Sequence, residues 1–201
     1  MDSTPELILA SASTARAGLL QAAGITFAID PADIDEAAIK REHRELGRDA
    51  PTCAAALAEA KARSVAARRK NALVIGADQI LVAGDEWFDK PGDLAAAEAQ
   101  LRRLRGRDHI LVTAACAVCG DERLWQATSI PKLTMRRFGD AFLAGYIAGE
   151  WDALLGSVGA YRLEGKGVQL FDRIEGDHFA ILGLPLLELL AFLRGYGVVG
   201  E

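Results

Sequence analysis

Apolar and polar positions along this chain fall into blocks that read as strands and helices taken in turn. Leu7–Ala10 is an apolar run of strand character. From about Thr14 to Ala23 the apolar positions recur at helical spacing, with Leu19, Leu20 and Ala23 inward and Gly24 suited to the stop. A second strand is predicted near Phe27–Ile29, leading to the acidic stretch Asp33-Ile34-Asp35-Glu36. The polar stretch Lys40 to Asp49 reads as a long mobile loop, able to act as a lid, or as an exposed charged helix end. The Ala-rich stretch from Thr52 to Ala67 predicts a helix, and Leu73–Ala77 a strand that continues past Asp78 through Ile80–Val82. Asp93 can cap a helix running to about Leu104 and ended by Gly106. His109–Val118 and roughly Leu124–Met135 predict long β segments, and Asp140 a helix cap with the stop at Gly149. Further β segments are expected near Gly159–Leu163 and Val168–Phe171, then a last helix from Pro185 to Leu193 with proline in a permitted first-turn position.

This alternation predicts an α/β fold, and 201 residues are most economically one domain over 1–201 with a real core. A 51% apolar and 25% charged composition is ordinary for a globular protein. The formal net charge of -5 argues against a nucleic-acid polymer as partner, because phosphate backbones call for a broad basic patch; a small cationic pocket remains open. Met1 to Ser13 lacks the basic start and apolar core of a secretory leader. The greasiest segment, Ile181 to Leu193, is too short for a membrane span and is interrupted by Pro185 and Glu188, so a cytoplasmic location is expected. Cys53, Cys116 and Cys119 read as ordinary core thiols, since neither a second Cys pair nor a nearby His completes a zinc site.

The chemistry is concentrated around Leu73-Val74-Ile75-Gly76-Ala77-Asp78-Gln79, an apolar run that delivers a carboxylate at the strand edge where open α/β sheets place their ligands. Its companions are a serine turn at Ser11-Ala12-Ser13, the pair Asp35-Glu36, Lys61, Asp89-Lys90-Pro91 and Glu164-Gly165. Carboxylates and cations spaced along one domain suit a metal-dependent reaction on a polyphosphate. Three other nucleotide signatures fail. Ser11-Ala12-Ser13-Thr14 stands where a Rossmann glycine fingerprint would be, and Gly165-Lys166-Gly167 lacks the earlier glycine and the final hydroxyl of a Walker loop. Ile80 occupies the place of the second acid of an aspartyl phosphatase, and His43, His109 and His178 meet no nucleophile elbow. The Ser11-to-Arg16 turn, with backbone N–H groups, two hydroxyls and a guanidinium at a helix start, makes a phosphate cradle. The plainer alternative has Ser11 or Ser13 merely capping the helix, Arg16 solvated, and Lys61 on a wet helix face.

These motifs, in this order, resemble the Maf family of nucleoside triphosphate pyrophosphatases: the serine turn, Asp35-Glu36, Lys61-Ala62, Gly76-Ala77-Asp78, Lys90-Pro91, Gly106-Arg107 with His109, and Glu175-Gly176. The resemblance runs from Leu7 to Leu186. Gln79 after the aspartate, Glu164 before Gly165, and the segment Gly167 to Gly176 look closest to the branch associated with 7-methyl-GTP; the dTTP/UTP branch tends to carry Thr and Gln at the first two places. Thr14 and Ala15 depart from the family's usual Pro and Arg or Trp, leaving Arg16 as the clear arginine of the cradle.

The resemblance implies a mixed α/β fold of the Maf and inosine triphosphatase kind, with an elongated central sheet, a cleft between two lobes and a homodimeric state. It implies hydrolysis between the α- and β-phosphates with a divalent cation, Mg2+ or Mn2+. Asp78 would accept the proton of water, and Glu36 with Asp78 would hold the metal. Ser11, Ser13, Arg16, Lys61 and Lys90 would hold phosphate, and Ala15, Gln79 and Glu164 occupy the specificity positions. A carboxylate at 164 can accept the adjacent N–H donors of a guanine-type edge and is repelled by the carbonyl oxygens of uracil or thymine. Pairing of Glu164 with Lys166 or Arg162 is the structural alternative. At the level of function, the alternative is a nucleotide-binding regulator of cell division with weak or no hydrolysis.

Overall fold

Two long antiparallel strands form the axis of the protein, seen in a computed structural model that describes residues 5–200. Met1–Thr4 of the segment read for a leader, and Glu201, lie outside the described residues. Strand β3 (Leu73–Ala83) and strand β5 (Asp108–Cys119) pair from Leu73 opposite Cys119 to Val82 opposite Ile110. Most positions of both are buried, and their Val/Ile/Leu/Ala composition suits strands covered on both faces. Successive side chains point to opposite faces, so Val74, Cys116 and Val118 join one core and Leu73, Ile75, Ala115 and Ala117 another.

The sheet forks along β3. Strand β1 (Leu7–Leu9) lies parallel to its beginning, Leu7 opposite Leu73 and Leu9 opposite Ile75, with β2 (Ala28–Ile29) parallel outside β1. Strand β4 (Glu86–Phe88) folds back on its end, Leu81 opposite Phe88. Between Ile75 and Leu81 that edge of β3 pairs with neither. The other side of β5 divides likewise between β6 (Glu122–Ser129) and β7 (Lys132–Met135), and β8 (Phe171–Glu175) closes on β7. The result is one mixed eight-stranded sheet.

Helices cover it. Asp49 caps α3 (Ala50–Ala66), Ser13 caps α1 (Thr14–Ala22), Asp35 caps α2 (Glu36–Glu45) and Asp93 caps α4 (Leu94–Leu104), each side chain accepting from a backbone N–H of the first turn. Helix α3 crosses β3 so closely that a Cβ on Gly76 would overlap the Ala58 carbonyl oxygen and stand 2.8 Å from the Ala62 nitrogen. The alanines facing the sheet, Ala54, Ala58 and Ala62, permit this approach, and it brings Lys61 down to the sheet. Helices α1 and α7 (Leu186–Gly195) cover the opposite face at this end, while α4 and α5 (Asp140–Leu154) cover the far end of β3 and β5.

Several expectations need correction. Of the two readings of Lys40–Asp49 the charged helix end holds and the mobile loop does not, because Asp35 caps α2, which continues to Glu45. The expected β segments at Gly159–Leu163 and Val168–Phe171 are instead 3-10 turns at Val158–Ala160 and Lys166–Leu170, the first admitted by Gly159 at a φ of 77°. Pro131 lies in the break that divides Leu124–Met135 into β6 and β7. Gly149 does not stop α5, which runs on to Leu154; Asp140 is its first residue, and Pro185 precedes α7 as its cap. Strand β4 and the four-residue helix α6 (His178–Ile181), capped by Asp177, were not signalled. Among the described residues no helix is long and apolar enough to cross a membrane.

Candidate active site

Asp78 sits at the fork, in the middle of β3 and not at the strand's end, where the partner strands on one edge have diverged. Its side chain is only 6% exposed. Lys61, delivered by the close crossing of α3, donates to Asp78 Oδ1 at 2.6 Å and lies 2.8 Å from Glu36 Oε1. One buried ammonium thus bridges two carboxylates from different elements. The second oxygen, Asp78 Oδ2, is buried without a hydrogen-bond partner among the described residues, a costly state for a carboxylate unless something else fills it. Burial pushes the Glu36 carboxyl up, but its hydrogen bond to Lys61 and the charges of Lys61, Lys40 and Lys90 outweigh that and hold it below its ordinary value.

The serine turn faces this group. Ser11 is buried, and its Oγ accepts from the Ser13 N–H at 3.2 Å and from Arg16 Nη1 at 3.2 Å. Ser13 is the helix cap, accepting from the Arg16 N–H at 3.3 Å. Arg16 is not solvated: it is buried, and its Nε donates to the Gly183 carbonyl at 2.8 Å. Burial lowers the Arg16 pKa, partly offset by Asp78 and Glu36. Lys90 lines the same cleft, its ammonium held below the ordinary lysine value by partial desolvation and then by the Arg16 charge. Lys40 pairs with Asp89 at 2.7 Å, and Arg44 reaches the same carboxylate at 3.8 Å while lying over the Trp87 ring.

The cleft measures about 1330 Å³ and takes in every site residue expected from sequence: Ser11, Ser13, Ala15, Arg16, Glu36, Lys61, Asp78, Gln79, Lys90 and Glu164. Glu164 is exposed, and neither suggested partner holds it; Arg162 lies 3.4 Å from Glu150 instead. Gln79 is held by its carboxamide nitrogen, which donates to Thr113 Oγ1 at 2.8 Å and to the Ala180 and Ile181 carbonyls at 3.0 and 3.1 Å. The wall also contains Lys40, Arg41, Arg44, Tyr161 and Gly183, which the sequence did not single out as site residues. Beneath Tyr161, His109 Nε2 lies 2.8 Å from the phenol oxygen, and burial pushes the imidazole down to about 4. Among the described residues no three His, Cys, Asp or Glu side chains gather as a preformed metal cage. The donor set that exists is the pair Asp78 and Glu36, and its unpartnered Oδ2 suits a hard cation that takes one or two carboxylates and completes its shell with substrate phosphate and water.

Known proteins are similar to this chain over nearly its whole length. The family described as "Maf-like protein" matches residues 6–196. A protein of Granulibacter bethesdensis named "Nucleoside triphosphate pyrophosphatase" is 53% identical over 189 residues, 94% of this chain and 96% of its own. One of Paramagnetospirillum magneticum with the same name is 51% identical over 94% of this chain and 98% of its own. A protein of Rhizobium etli named "7-methyl-GTP pyrophosphatase" is 46% identical over 98% of both chains.

Proposed function

The chain belongs to the Maf family, and from that premise we propose that it hydrolyses a nucleoside triphosphate to the nucleoside monophosphate and pyrophosphate, with 7-methyl-GTP as the preferred substrate. The observation that carries the reading is the buried Lys61 bridging Asp78 and Glu36 at the floor of a cleft that also holds Arg16 and Lys90. The names of the relatives support the reaction, and Gln79 with Glu164 supports the base.

In this mechanism Asp78 takes a proton from water as water attacks the α-phosphorus, with Lys61 holding the carboxylate in place through Oδ1. The bond to the bridging oxygen breaks, and pyrophosphate leaves with the electron pair. Negative charge grows on that leaving group, so Lys61, Arg16 and Lys90 act where stabilisation is worth most, in a cleft partly screened from water. Lys61 also keeps Asp78 and Glu36 from repelling each other. Asp78 and Glu36 would hold a divalent cation, which when bound supplies further charge neutralisation at the phosphate oxygens. Ser13 and the first turn of α1 offer N–H and hydroxyl groups to phosphate at a helix N-terminus.

A panel of nucleoside triphosphates with Mg2+ or Mn2+, read for pyrophosphate, tests the proposal. Pyrophosphate as first product and cessation in EDTA are expected. Orthophosphate as first product, or full activity in chelator, would overturn it; binding without turnover would favour a nucleotide-binding regulator of cell division.

A further inference from the structure

Gln79 and Thr113 stand directly opposite each other in the β3–β5 ladder, so their side chains share one face of the sheet. Thr113 is fully buried, and its hydroxyl donates to the Ala180 carbonyl at 2.8 Å. With its proton committed there, the hydroxyl oxygen is free to accept, and Gln79 Nε2 donates to it at 2.8 Å. The same nitrogen meets two backbone carbonyls, Ala180 and Ile181, at the C-terminal end of α6, the first of which also accepts the Gly183 N–H at 3.0 Å. Turning the carboxamide over would set its carbonyl oxygen against three oxygens, two of which cannot donate. The amide therefore has one orientation: nitrogen toward Thr113 and α6, Oε1 left to the cleft that Gln79 lines.

We propose that Thr113 is a positioning residue that acts through Gln79, adding to the hold of the Ala180 and Ile181 carbonyls on its nitrogen, so that the base end of the cleft is an acceptor and selects nucleobases that offer N–H donors over those that offer carbonyl oxygens. This rests on the reading of the cleft as a nucleoside triphosphate site. A glutamine free to rotate could serve either kind of edge and would discriminate poorly. With its nitrogen tied, Oε1 adds to the acceptor set of Glu164, which lines the same cleft. A guanine-type edge presents adjacent N–H groups to such a pair, whereas uracil presents one N–H flanked by two oxygens.

The test is Thr113→Val, which keeps the shape and removes both hydrogen bonds, compared with Thr113→Ser, which restores the hydroxyl. Thr113→Val should reduce the ratio of kcat/KM for GTP over UTP by roughly three- to tenfold, the worth of one hydrogen bond, through KM and not kcat. The ratio of Kd for GMP and UMP, measured calorimetrically, should narrow by the same factor, and Thr113→Ser should return both. In a Gln79→Leu background Thr113→Val should leave the ratios unmoved, because the residue it acts through is gone. Should valine prevent folding, Thr113→Ala carries the same comparison. Equal ratios in the variant and the wild type, or equal effects of Thr113→Val with and without Gln79, would overturn the inference and leave the hydrolysis reading intact. Absence of pyrophosphate release by the wild type would sink that reading instead, and the monophosphate ratios would still decide this one.

Discussion

The floor and the rim of the cleft are built in opposite ways. Asp78 and Lys61 sit on a buried strand and the helix that crosses it, both side chains nearly enclosed. Glu164 stands in a turn between 3-10 segments, exposed, with no ion pair to Arg162. Groups that move protons or meet developing charge gain from fixed geometry, since small displacements are costly to catalysis. A residue that only ranks bases can sit on a turn whose exchange disturbs no core. On the proposed reading, the contrast marks where substrate can change without a change of reaction.

The floor breaks first at Asp78. Asp78→Asn keeps the shape and removes the proposed proton acceptor, so kcat should fall on the order of a hundredfold or more with the fold retained. Turnover like that of the wild type would remove Asp78 from the mechanism. Gly76→Ala attacks the same half through packing alone: α3 must lift from β3 to clear the new Cβ, at a cost of about 3 kcal/mol or more, and the Lys61 bridge loosens with it. Chemical denaturation should show the loss, and an unchanged midpoint would mean that the crossing is softer than its geometry.

Glu164 at the rim should respond in ranking and not in stability, whereas Gln79, tied within β3, would read the base from the rigid side. Gln79→Thr with Glu164→Gln is expected to move kcat/KM toward UTP and dTTP by roughly tenfold, and Glu164→Gln alone should leave the melting temperature in place. An unchanged order of nucleotides in the double variant would show that these positions do not read the base. The smallest effect concerns the layer beneath the rim. His109 has an ordinary value of 6.5 and is held down to about 4 by burial, so the unfolded chain binds its proton first as pH falls. Stability is then present above 6.5 and drains between 6.5 and about 4, by about 1–3 kcal/mol. His109→Phe should flatten that part of the pH–stability curve; the same slope in both proteins would assign the loss to other groups.

Strong local patterns made much of this legible. β1, β3, α3 and α4 are sustained apolar runs or capped helices, and motif order alone gathered Ser11, Arg16, Glu36, Lys61, Asp78 and Lys90, which line one cleft. What escaped depends on distant contacts. Thr113 lies inside a 12-residue strand and differs locally in nothing from a core hydroxyl; its meaning comes from Gln79 across the ladder and Ala180 beyond. The Gly183 carbonyl that holds Arg16 is backbone and has no side-chain signature at all. The 3-10 turns around Gly159 and Lys166 carried apolar residues like a strand's, but a positive φ at Gly159 turns the chain away. Only the register of β3 on β5 could have pointed to Thr113.

The tether of α2 carries a consequence of its own. Lys40 and Arg44 reach across to Asp89, whose side chain is 55% exposed, so this strap is open to bulk ions while the Lys61–Asp78 pair below is not. Screening shortens from about 10 Å at 0.1 M salt to about 3 Å at 1 M, which weakens the strap and spares the floor. Ionic strength is thus a dial on how firmly the wall of the cleft is held, turned from outside the protein, and it reaches the floor only through Glu36, the half-exposed acid at the start of the same helix.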